Sequence, residues 1–355
     1  MAPAVALEPL RNAVLVLAGA VILLALSLLI ERSASALRGL RTSRREPILN
    51  RLVFQAIQSS PVDASNFRGL GRFDRKLVRS TLLGLALDLR GDSGDAIATL
   101  YRDLGFLKKD LAGLRSSRPT RRANAAADLG LIHCAETMPA LVRALQDSDV
   151  RVRQAAVWAI GQVGTPASLA GLVRLLGDRS LVVAHRVQEV LAERGREIVD
   201  SILRYAETTS SRSGRLAAVE LIGWLRITTG ADLLLSGMRD LDPEVRVKSV
   251  KAAAAIGDPR FLETFHSRLE DVRWEVRCQA AKGLSLFGSP ASVPRLAAAL
   301  RDDHWWVRFY AATALAEIGP AGEEALSSAL HDPEPLVQEM ARYLLERGEA
   351  ALALP

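Results

Sequence analysis

"DSDVRVRQAAVWAIGQVGTPASLAGLVRLLG", Asp147 to Gly177, decides the fold. Its first half, Val150 to Val163, carries small and apolar residues at helical spacing. Gly164–Pro166 interrupts that run, with proline placed near the start of a second helix, Ala167 to Gly177. One such pair cannot bury its apolar face alone, so the stretch predicts neighbours of its own kind.

The neighbours are present. An Asp is followed six residues later by an Arg, with Val just before the Arg and a small residue eight positions beyond it. Asp147 goes with Val152–Arg153 and Gly161, and Asp240 with Val245–Arg246 and Ala254. Asp271 goes with Val276–Arg277 and Ser285, and Asp302 with Val307–Arg308 and Ala316. The arginines step by 31 residues from Arg122 through Arg153, Arg215, Arg246 and Arg277 to Arg308, with Ala184 in one slot. Ser116 and Thr209 replace Asp in two units, and the last unit slips to 30, with Asp332 and Val337–Gln338. That gives eight units. Asp reads as a cap or backbone acceptor and Arg as a bridge to the adjacent unit, a structural ladder.

The Asp-x5-Arg spacing, the Val-Arg before an Ala-rich helix and the period near 30 resemble HEAT repeats, of the short type also seen in phycobilin lyases. The resemblance covers about Leu114 to Gly348 and implies an α-solenoid; it is specific for fold and poor for function. HEAT-type di-iron hydroxylases carry His-Glu motifs. None of His133, His185, His266, His304 and His331 is followed by Glu, so the chain departs from that branch.

"NAVLVLAGAVILLALSLLI", Asn12 to Ile30, holds no charge over 19 residues. As a helix it spans roughly 28 Å, close to the ~30 Å of a hydrocarbon core. Arg32, Arg38, Arg41, Arg44 and Arg45 follow it, while only Glu8 and Arg11 precede it. The positive-inside rule then predicts a single pass through a bacterial inner membrane, N-terminus outside and solenoid cytosolic. The five arginines are expected on anionic lipid head groups. A cleaved signal peptide ending at Ala34–Ala36 competes, but the run is long for one and Glu31–Arg32 interrupts the approach. A buried helix fits less well, because the run is apolar all round.

The expected fold class is therefore all-α, with an N-terminal transmembrane helix followed by about eight 31-residue helix pairs. The expected divisions are 1–31 for tail and span, 32–113 for a basic neck and irregular helical cap, 114–348 for the solenoid and 349–355 for a tail. Charge follows the same division. From Glu31 to Arg122, 19 Lys/Arg stand against 9 Asp/Glu; from Ala123 on, 26 stand against 30. A basic half followed by an acidic one argues against a nucleic-acid groove along the whole molecule. Arg143, Arg174 and Arg204 recur on second helices, but that stripe ends at Leu235 and Ser236.

Chemistry is hard to find. No metal spacing, phosphate loop or nucleophile elbow occurs, and Cys134 and Cys278 lie almost five units apart. No catalytic residue, cofactor, metal or small-molecule substrate is expected. The expected function is a membrane-anchored scaffold for a membrane-associated protein partner. The resemblance to bacterial membrane-anchored HEAT proteins implies service to a glycosyltransferase or surface-polysaccharide system. The alternatives are a bilin-lyase-type enzyme and a structural spacer. The partner contact is expected at Arg273, Trp274, His304, Trp305 and Trp306. "RWEVR" and "HWWVR" place these residues in one register at the fronts of adjacent first helices. Trp274 and Trp305 are expected to stack across the seam.

Overall fold

The structure, a computed structural model, describes residues 7–352. Side chains are described throughout 41–346 and at single positions between 17 and 39. The expected end segments lie partly outside the described residues. All regular structure is helical, in two compact units: residues 1–113 with 131–134, and residues 114–130 with 135–355.

The first unit holds α1 (Leu7–Gln58), α2 (Arg72–Asp88), α3 (Asp92–Asp103) and α4 (Phe106–Gly113). The C-terminal part of α1 packs on α2 and α3 through Leu49, Val53 and Ala56. Tyr101 of α3 is fully buried and donates from its hydroxyl to Asp110, which also takes Arg79 at 2.8 Å.

The apolar run Asn12–Ile30 is part of α1, and here the membrane expectation is corrected. Most of its side chains lie outside the described residues; among those described, no helix is long and apolar enough to cross a membrane. The run does not stand alone as a bilayer-length element. It continues without a break through Arg32, Arg41, Arg44 and Arg45 into a helix of 52 residues. The single-pass topology, the inner-membrane location and the lipid role of the arginines lose their argument with it. Arg41 lies over the Phe73 ring at 5.1 Å, and Arg45 approaches Asp74 at 3.9 Å. Arg32 and Arg44 are exposed, and the side chain of Arg38 lies outside the described residues.

The second unit is a stack of helix pairs. It opens with α5 (Pro119–Ile132) and α6 (Met138–Ala144). Then come α7 (Val150–Val163) with α8 (Pro166–Leu172), α9 (Leu181–Arg194) with α10 (Val199–Thr208), and α11 (Arg212–Trp224) with α12 (Ala231–Gly237). The pairs α13 (Pro243–Ile256) with α14 (Leu262–Arg268), α15 (Trp274–Phe287) with α16 (Val293–Ala299), and α17 (Trp305–Ile318) with α18 (Pro320–Ala329) follow. α19 (Pro335–Leu352) closes the row. From α7 onward each first helix packs on the next first helix. Where a valine precedes the arginine slot it is buried: Val152, Val183, Val245, Val276, Val307 and Val337. The small residue of the repeat marks the closest approach. A Cβ on Gly223 would stand 2.8 Å from the Ala252 Cα, and one on Gly130 would stand 2.6 Å from that of Ala159. Only a hydrogen fits there.

The arginines form a bridged series. Arg246 donates from Nε and Nη2 to both carboxylate oxygens of Asp271 in the next unit, at 2.9 and 2.8 Å. Its Nη1 turns back to the carbonyl of Asp240 at 2.9 Å. Arg122 to Asp147, Arg153 to Asp178, and Arg277 to Asp302 repeat the two-pronged bridge, and Arg215 reaches Asp240 with one prong. The Oδ1 of each aspartate also accepts the backbone N–H two residues on, as that of Asp302 does from His304. Helix capping falls to a second residue, Asp149 or Asp242, two positions later.

Two rungs are absent, for different reasons. Ala184 removes the arginine and Thr209 the matching carboxylate, so no buried charge is stranded. The one-residue slip before the last unit puts Pro333 where Arg308 needs an acid, and Asp332 pairs with Arg301 instead. Arg308 keeps its bonds to the carbonyls of Asp302 and Asp303, while its buried Nε has no partner among the described residues.

Candidate functional site

The bridged aspartates set the entry to each first helix. Asp271 accepts from the Arg273 N–H at 3.0 Å, and Asp302 from the His304 N–H at 2.8 Å. Arg273 and His304 are the N-cap residues, both extended, so the helices begin at Trp274 and Trp305. A buried polar bridge thus fixes the backbone directly before each tryptophan.

The expected contact residues divide into two groups. Trp274 stacks on His304 across the seam, ring centroids 3.7 Å apart and planes within 6°. The expected Trp274–Trp305 stack does not form. Trp305 instead lies against Phe309, four residues on along its own helix, at 5.1 Å and 12°. Trp306 meets Trp305 edge to face at 4.7 Å and stacks on Tyr310 at 6.1 Å. Phe309 reaches Tyr343 of α19 at 6.3 Å, and the Lys282 ammonium sits 5.3 Å from the Tyr310 ring centre. Arg273 joins neither group. It is exposed and bound to Glu275 at 2.8 Å, and that bond holds the Glu275 carboxyl below its ordinary range.

The cluster is therefore larger than the tryptophans alone. The i, i+4 pairs 305/309 and 306/310 were available in the sequence; Tyr343 was not, because the positions one unit earlier, Ala312 and Thr313, are not aromatic. Trp305 and Trp306 remain 43% and 46% exposed, although each touches other rings. Aromatic area of this kind on a rim is held by ring contacts and still open to solvent on one side.

The remainder of the molecule offers little reactive chemistry. Among the described residues no group of three or more His, Cys, Asp and Glu is placed to hold a metal ion. Burial pushes the Cys278 thiol up to about 11, far from a reactive thiolate. Both cysteines are buried and neither forms a disulfide; the Cys134 sulfur accepts from Arg102 Nη2 at 3.3 Å.

The family model for HEAT repeats matches residues 108–192 and 262–346. These two segments are HEAT repeats. They lie toward both ends of the series, and the bridged units between them share its 31-residue step. Among solved structures, a Kap121p variant is similar over 84% of this chain and 41% of its own, at 18% identity and TM-score 0.53. Kap95p, in a structure with RanGDP, is similar over 87% and 52%, at 11% identity and TM-score 0.50. The CpcE–CpcF phycocyanin lyase of Nostoc sp. PCC7120 is similar over 66% and 94%, at 17% identity and TM-score 0.32. The chain spans about half the length of Kap121p and of Kap95p. At such identities the likeness concerns the fold alone. No curated protein matches the sequence.

Proposed function

We propose that the chain is a protein-binding scaffold and that its partner docks on the aromatic rim of Trp305, Trp306, Phe309, Tyr310 and Tyr343, flanked by Trp274 and His304. The HEAT solenoid is a fold suited to protein–protein interaction, and Kap95p, similar in fold, binds RanGDP. The observation that carries the docking site is the exposure of two adjacent tryptophans already braced by other rings. Their side chains lose little rotamer freedom on binding, and Trp and Tyr dominate binding hot spots. The bridged arginines and aspartates serve this site indirectly, by fixing the N-caps that aim it.

The test is affinity capture with the full chain and with a Trp305→Ala/Trp306→Ala variant, compared at equal folded concentration. The expected result is one or more proteins recovered with the wild-type chain and lost with the variant. Equal recovery with both chains overturns the docking site.

A further inference from the structure

The rim is not the only surface built for a ligand. The second helices α6, α8 and α10 enclose a groove of about 520 Å³, within the size range of ligand sites. Its apolar floor includes Val142, Leu145 and Val173, and Val142 is exposed. Arg174 and Arg204 line it with Tyr205, and no carboxylate does. Arg143 is exposed one residue after Val142, and Arg174 and Arg204 are exposed as well. None of these three guanidinium groups has an ion-pair or hydrogen-bond partner among the described residues. The bridging arginines at the unit seams differ, since each of Arg122, Arg153, Arg215, Arg246 and Arg277 is held by a carboxylate of the next unit.

We infer that this groove binds an acidic, extended peptide segment of a partner protein. Charge complementarity selects the occupant, because unpaired guanidiniums over an apolar floor take carboxylates in a chain that also brings apolar side chains. Stacked helices lie roughly 8–10 Å apart. An extended peptide in the polyproline II form advances about 3.1 Å per residue with three residues per turn, so acidic residues three positions apart lie on one face and match that step. Nucleic acid fits less well. A backbone track needs a longer basic run, and this one stops after three helices at Leu235 and Ser236.

The test uses the full chain and a fluorescein-labelled twelve-residue peptide with Glu at every third position and Leu and Ser between. The controls are the same peptide with Lys for Glu and a twelve-nucleotide single-stranded oligothymidine. Fluorescence polarisation is expected to show saturable binding of the acidic peptide alone. Arg174→Glu/Arg204→Glu is expected to weaken it by at least roughly tenfold, as loss of two charge-assisted contacts implies. Both arginines are exposed, and an unchanged thermal midpoint of the variant confirms that it folds. The Trp305→Ala/Trp306→Ala variant is expected to bind the peptide as wild type does, which separates this groove from the rim. No binding of the acidic peptide, equal binding by the Glu variant, or preference for the oligonucleotide or the Lys peptide overturns the inference.

Discussion

Arg246 and Asp271 show at the scale of one residue what the repeat is built on. Their side chains are only 10% and 4% exposed, and five hydrogen bonds join Arg246 to Asp271 and to the carbonyls of its own loop and Asp271 to the Arg273 N–H. Removing one member leaves a buried charge behind. Arg246→Ala is therefore expected to cost about 3 kcal/mol. Arg308→Ala removes carbonyl bonds but strands no carboxylate, and about 1 kcal/mol is expected. Urea unfolding of the two variants checks the order, and equal losses would mean that the bridge adds nothing. The aspartates also predict an acid limit. Burial alone raises the carboxyls of Asp178, Asp271 and Asp302, but the arginine bonds, the backbone N–H and the nearby positive charge outweigh it and hold them low. Asp147 is held low first by its bonds to Arg122. A carboxyl depressed in the folded state adds stability above its unfolded value of about 3.9, and that stability is lost as pH falls through the folded value. Stability in urea is thus expected to decline below about pH 4 in the wild-type chain. The decline is expected to be shallower in Arg246→Ala, where Asp271 loses its two-pronged partner and keeps Arg268 at 3.2 Å; identical slopes would contradict the assignment.

Helices make the next scale, and their glycines separate two kinds of constraint. Gly223 lies in α11 against the backbone of α13, whereas Gly84 lies in α2 with nothing within 4 Å of an added Cβ. Gly223→Val is expected to cost about 2–3 kcal/mol through overpacking. Gly84→Ala is expected to stabilise by up to about 1 kcal/mol, because alanine is the better helix former. Thermal unfolding of both checks the pair, and a tolerated Gly223→Val would mean that the first helices are not held this close. Much of this scale was legible in the sequence. The Gly-Pro breaks and the 31-residue step place helix pairs because capping and apolar spacing are local properties. Helix α1 shows where local reading fails. Nineteen uncharged residues look like a membrane span when read alone, yet the helix runs on through a basic stretch, and helix length depends on the following residues as much as on the apolar ones.

For the molecule as a whole, the repeat explains why the site was only half visible. Register aligned Trp274 with Trp305 and so suggested that like residues stack. The structure pairs Trp274 with the residue before Trp305, since Trp305 turns along its own helix onto Phe309. Tyr343 enters the cluster from the last unit, at a position that is Ala312 or Thr313 one unit earlier and so carries no repeat signal. The arginine stripe was visible as spacing, but its groove was not, because groove walls come from residues such as Val142 and Tyr205 that carry no repeat signal. The proposed function rests on the same organisation, a bridged seam with two surfaces, rim and groove, beside it. The most direct measurement is photocrosslinking with a benzophenone side chain placed at Trp306 and, as a control, at exposed Glu324 of α18. The account predicts a discrete protein adduct from position 306 and none from position 324. An adduct of equal yield from position 324, or none from 306 while capture by the wild-type chain persists, would contradict it.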